Sequence, residues 1–145
     1  MNDAEQKFYD SEKEIEALVR GLEMCTLKPE VFDHAAHLVV GLWYVSKSSE
    51  TKATKSMRVG LLRFIAHNGV DPQKYNETIT IFWVKWLRSF IDQTGASRPI
   101  EALANELIKT CPSANLIFSY FSKELIFTEE ARRNWVEPDL KPLDF

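Results

Sequence analysis

Apolar residues recur at three- and four-residue spacing in five separate stretches of this 145-residue chain, and each stretch is bounded by residues that start or stop helices. A chain patterned in this way buries its apolar surface by packing helix on helix. Ser11-Glu12-Lys13-Glu14 has the form of a reciprocal cap, and Ile15, Leu18, Val19 and Leu22 follow on one face. Lys28-Pro29 ends that helix, because proline restricts the residue before it and has no N–H to donate. Asp33 can accept from the free N–H groups of a second helix with Leu38, Val39, Leu42, Trp43 and Val45 as its stripe and Phe32 in the staple position. The polar run Ser46 to Glu50 reads as a loop, and Met57, Leu61, Phe64 and Ile65 define a third helix that His67-Asn68-Gly69 terminates.

Asp71-Pro72 opens the fourth stretch, in which Tyr75, Ile79, Phe82, Trp83, Trp86, Leu87 and Phe90 share a face. Thr78-Ile79-Thr80-Ile81 alternates as a strand would, but the apolar stripe passes through it in register, so helix is expected through to Ile91. Gly95 closes this helix, and Ile100, Leu103, Ala104, Leu107 and Ile108 form a fifth behind Arg98-Pro99, ended by Cys111-Pro112. Two shorter pieces follow, Leu116 to Phe121 and a Thr128-initiated turn through Arg133. The proline-bearing tail is expected to be extended, with Trp135, Val136, Leu140 and Leu143 able to lie on the helices. The pattern predicts an all-α chain: one domain over residues 1–145, a single compact helical bundle of about five main helices with short C-terminal helical turns and an extended tail.

Composition narrows the function classes. With 18 Lys and Arg against 21 Asp and Glu, the formal charge of -3 provides no global positive field, so neither nucleic acid nor an anionic membrane surface is an expected partner. Cys25 and Cys111 make no short-spaced motif, which excludes a disulfide framework and a Cys-ligated zinc site. The N-terminus is acidic with no apolar stretch behind it, and no eighteen apolar residues run together, so a cytoplasmic location is expected. Neither a glycine-rich phosphate loop nor a G-x-S-x-G elbow is present.

One string carries candidate chemistry. In Phe32-Asp33-His34-Ala35-Ala36-His37-Leu38 the two imidazoles lie three residues apart, on one helix face, where they can converge on one ion or one substrate. Near the helix start the positive end of the dipole disfavours imidazolium, and neutral imidazole is the ligand form. Gly41, one turn on, would leave space beside the rings. The alternative is that His34 is exposed at the helix start and His37 packs on Phe32. A metal site needs a third protein ligand.

That ligand is sought in Tyr75-Asn76-Glu77-Thr78-Ile79-Thr80, which groups a phenol, an amide, a carboxylate and two hydroxyls. Glu77 can ligate a metal or act as a general base, and Tyr75 can hold a substrate oxygen; Asn76, Thr80 and Arg63 complete the candidate pocket. Equally, Asn76 or Thr78 can cap the helix, with Glu77 a first-turn acid that suits the dipole. His67, beside Asn68-Gly69, reads as a capping residue at a helix end, and the four Trp read as core.

On these residues the chain resembles a family of small bacterial proteins of unassigned function. The likeness rests on Cys25-Thr26-Leu27, on Phe32 to Leu38 with its His-x-x-His-Leu, and on Tyr75 to Thr80, and it extends to Tyr120 to Leu125, Ala131-Arg132 and Pro138-Asp139-Leu140. The resemblance implies an all-α fold whose polar pocket is built by the two motif helices, and it implies no named reaction. Where that family has His in its Tyr-His-Glu-Thr block, this chain has Asn76, and amide oxygen is a poorer ligand for zinc, nickel or copper than imidazole. The expectation is therefore a small-molecule pocket: either an enzyme with one divalent metal on His34, His37 and Glu77, with Glu77 and Tyr75 catalytic, or a metal-free ligand-binding module. A helical interaction adaptor is the third alternative.

Overall fold

The computed structural model describes residues 8–145; the segment 1–7, part of the acidic N-terminus read above, lies outside the described residues. The chain is an all-α bundle with five main helices, short C-terminal helices and an extended tail, and no strand occurs among the described residues. Helix α1 is Glu12–Glu23, α2 His34–Lys47, α3 Glu50–His67, α4 Glu77–Thr94 and α5 Ile100–Lys109; α6 Lys123–Ile126 and α7 Glu129–Arg133 are single turns. Among the described residues no helix is long and apolar enough to cross a membrane.

Local chemistry sets most boundaries. Asp33 accepts from the Ala36 N–H at 2.9 Å and starts α2, while Ser49 accepts from Lys52 at 3.2 Å and starts α3. Ser122 and Thr128 cap α6 and α7 in the same way. Gly69, at φ 70°, and Gly95, at φ 116°, take the positive-φ positions that follow α3 and α4.

Both ends of α1 and the start of α4 differ from the sequence reading. The Ser11 cap box is displaced: the Ser11 side chain makes no capping bond, and Glu14 instead accepts from the Asp10 N–H at 2.7 Å. Helix α1 then stops at Glu23, before Lys28-Pro29, because Cys25 adopts φ 58° and lets the Thr26 N–H reach the Gly21 carbonyl at 2.9 Å. Asp71-Pro72 starts only a 3₁₀ turn, Pro72–Lys74. Tyr75 and Asn76 are extended, and α4 begins at Glu77 because the Asn76 side chain takes up one of its free N–H groups, that of Ile79. The segment Thr78 to Ile81 is helical.

Helix α2 is the central element, its Leu38, Val39, Val40, Leu42, Trp43 and Val45 all buried, as a helix that is apolar all round must be. It packs on α1, α3, α4 and α5. Contact with α4 is close because Gly41 has no Cβ: one placed there would lie 2.7 Å from Leu87 Cδ1. Leu87 packs directly against Gly41, and both residues border the space expected beside the imidazoles.

The apolar interior has two parts. The larger is formed by α1 to α5, and the smaller by Phe82, Ile117, Tyr120, Phe121 and Ile126, with Trp135, Val136, Leu143 and Phe145 of the tail packed on it. Trp83 packs against both. The tail is pinned by polar bonds as well: Leu140 N–H to the Tyr120 carbonyl at 2.9 Å, Ser122 Oγ to Asp139 at 2.7 Å, and Tyr120 Oη to Asp144 at 2.5 Å. Leu140 itself points away from the helices and is exposed.

Candidate functional site

A pocket of about 400 Å³ opens at the seam between the two apolar cores. Leu38 of α2, Met57 and Leu61 of α3, and Val84 and Leu87 of α4 line one side; Ile79, Ile117 and Phe118 line the other, and Trp83 bridges them. Its polar side chains are Asp33, His34, His37, Thr80 and Asn115. The walls are thus mainly apolar, against the polar pocket that the resemblance implies.

Both imidazoles are held by backbone carbonyls. His34 Nε2 donates to the Pro112 carbonyl at 3.1 Å, tying the start of α2 to the chain beyond α5, and the ring meets Trp83 edge-on with centroids 5.1 Å apart. His37 Nδ1 donates to the Asp33 carbonyl at 2.8 Å, and its ring stacks on Phe32 at 3.8 Å. A carbonyl accepts only from N–H, so each bond fixes a tautomer and leaves one lone-pair nitrogen, Nδ1 on His34 and Nε2 on His37. Burial pushes both imidazoles below the ordinary histidine pKa of 6.5, and the backbone bonds and the Asp33 charge only partly offset it. Neutral rings are the resting state at neutral pH.

Glu77 is elsewhere engaged. Its carboxylate receives a two-pronged contact from Arg58, 2.9 Å from Nε and 2.5 Å from Nη2, and a bond from Tyr75 Oη at 2.7 Å. Burial pushes the Glu77 carboxyl up, but the Arg58 and Tyr75 hydrogen bonds and the Arg58 charge together outweigh it and hold the group below 4.5. Tyr75 is in turn pushed well above 10, by burial first and also by its bond to Glu77. Asn76 is buried between two partners, its Oδ1 accepting from the Ile79 N–H at 3.0 Å and its Nδ2 donating to the Ile126 carbonyl at 2.9 Å. Thr78, fully buried, bonds the Asn134 carbonyl at 2.7 Å and receives the Val136 N–H at 3.3 Å.

The predicted residues therefore separate into two groups. His34, His37 and Thr80 line one pocket; Tyr75, Asn76 and Glu77 do not line it. Tyr75 borders a smaller depression with Arg132 and Arg133, and Arg63 donates to the Glu23 carbonyl at 3.1 Å beside Tyr44. Arg58, not Arg63, is the cation on Glu77. No group of three His, Cys, Asp or Glu able to hold a metal ion is found among the described residues. A third ligand for the pair is not supplied by Glu77, whose oxygens face Arg58 and Tyr75, nor by Asn76, whose amide is used at both ends.

Sequence reasoning missed Trp83 as a pocket wall, together with Met57, Leu61 and Phe118. A signal was present: α4 carries apolar residues on more than one face, which a helix between two cores requires. No protein-family model, curated protein or solved structure matches this chain.

Proposed function

We propose that this protein binds a small, largely apolar molecule in the seam pocket, with the polar part of that molecule against His34 and His37 and with no metal ion between them. The observation that supports this reading is the combination of apolar walls, about 400 Å³ of space, and two backbone-anchored neutral imidazoles in one lining. Ligand sites typically run from roughly 300 to 1,000 Å³, apolar in most of their lining with a few fixed polar groups. A metal-assisted enzyme is the less supported alternative, because two imidazoles without a third ligand hold borderline metals weakly.

Benzofuran, a compact aromatic ether, tests the pocket. It should raise the melting temperature in a concentration-dependent way, and Leu61→Trp, which fills space on the α3 side, should remove the shift. No shift in the wild type at saturating benzofuran, or an equal shift in Leu61→Trp, would overturn the pocket reading. Isothermal titration with zinc should show no stoichiometric tight binding; one equivalent lost in His34→Ala would restore the metal alternative.

A further inference from the structure

We infer that the pocket selects an uncharged apolar molecule carrying a hydrogen-bond donor, an N–H or O–H group that the lone pairs of His34 and His37 receive; this rests on the pocket reading above. The fold has already used the hydrogens that most of the lining's polar side chains could donate. His34 spends its N–H on Pro112 and His37 spends its N–H on Asp33. Thr80 spends its hydroxyl hydrogen on the Asn76 carbonyl at 3.1 Å. The Asp33 carboxylate, on an exposed side chain, has no hydrogen to give and already accepts from Ala36, so the imidazoles carry the selection. Four of the polar groups in the lining are thus left with acceptor capacity alone. Against them stand two side-chain donors, the Trp83 indole and the Asn115 amide, the latter on an exposed side chain.

A ligand without a donor would bury these lone pairs unpaired, and a buried acceptor left unsatisfied costs free energy that a ligand donor recovers. A carboxylate ligand fares worse, since it would meet Asp33 and two lone-pair nitrogens. The anchoring bonds make the selection durable, because turning either ring to present N–H to the ligand would break its bond to Pro112 or Asp33.

Indole and benzofuran isolate the effect, being nearly identical in size and shape with N–H in one replaced by a ring oxygen in the other. Isothermal titration of the full chain at neutral pH should give about tenfold tighter binding of indole, the equivalent of one hydrogen bond. In the double variant His34→Phe with His37→Phe, which keeps a ring against Trp83 and on Phe32, the preference should vanish while benzofuran still binds. Equal affinities in the wild type, or a preference for benzofuran, would overturn the inference and leave the pocket reading standing. Failure of both compounds to bind would overturn both. A preference that survives in the folded double variant would remove the imidazoles as the selecting groups, and the wild-type comparison decides the matter even if that variant does not fold.

Discussion

Asn76 should be worth more to stability than any other single polar side chain at the start of α4. Its Oδ1 caps the helix through the Ile79 N–H, and its Nδ2 reaches across the chain to the Ile126 carbonyl at the end of α6. Replacing it with alanine removes both. Loss of an N-cap typically costs about 1 kcal/mol, and a buried acceptor left without its donor costs about 1 to 3 kcal/mol, so Asn76→Ala should lose about 2 to 4 kcal/mol. Asn76→Ser keeps a capping oxygen and should lose only the second part. Urea unfolding followed by far-ultraviolet circular dichroism and tryptophan fluorescence measures both differences. Asn76→Asp adds a test of sign. Its carboxylate can cap, but it faces the Ile126 carbonyl in a buried position, which raises its folded pKa above the unfolded value of about 3.9. The folded state then binds more protons than the unfolded one, so the deficit of this variant should shrink as pH falls from about 7 towards about 4. An Asn76→Ala protein within about 0.5 kcal/mol of wild type would refute the reasoning.

Four further outcomes are expected. Arg58→Met leaves the Glu77 carboxylate largely buried with Tyr75 alone and should cost about 2 kcal/mol, below the 3 to 5 typical of fully buried pairs because Arg58 is 40% exposed. Glu77 is held below 4.5, so its stabilising contribution is present above that value and lost as pH falls through its folded pKa; acid titration of Glu77→Gln should show that this loss is missing. His37, lowered by burial from 6.5, favours the fold fully above that pH and loses its contribution as pH falls towards its folded pKa; His34, lowered likewise, and Asp33 share its surroundings, and His37→Phe should flatten denaturation midpoints across that window. Gly41→Ala should displace the Leu87 methyl into the adjoining pocket, trading about 1 kcal/mol of helix propensity against a similar packing cost; benzofuran affinity should fall while the urea midpoint barely moves.

Much of the fold was legible because its helix starts carry side chains that bond their own N–H groups, as Asp33, Ser49 and Thr128 do. Those signals are local, although Ser11, which offers the same chemistry, makes no capping bond. What failed was also local, but conformational. Cys25 holds a left-handed φ where glycine would have advertised the end of α1, and nothing in its chemistry marks it. Gly41 was visible and does border the pocket, but the close approach of Leu87 that its missing Cβ also permits depends on the partner helix and is not written locally.

The site was legible only in half, and the reason is physical. The density of polar groups from Tyr75 to Thr80 resembles a catalytic cluster because a buried helix N-terminus needs such a cluster for its own sake. Four backbone N–H groups have no partner at a helix start, and in the interior no water can serve them. At the start of α4, Asn76 takes the Ile79 N–H, Thr78 bonds the Asn134 carbonyl and the Val136 N–H, and Arg58, Glu77 and Tyr75 bond one another; the Asn76 and Thr78 bonds fasten residues 126–136 to the bundle. The bonding capacity of these side chains is used by one another and by backbone groups of Ile79, Ile126, Asn134 and Val136. The His34–His37 pair differs in this respect: each ring uses one nitrogen to fix itself and retains one lone pair beside a cavity. Sequence spacing placed those two rings on one face, but the apolar wall opposite them is assembled from residues 57 to 118, and only the tertiary fold brings that wall to them. On the proposed reading the bonding capacity left over after folding lies with the two imidazoles, while the polar residues from Tyr75 to Thr80 fasten the start of α4 to residues 126–136.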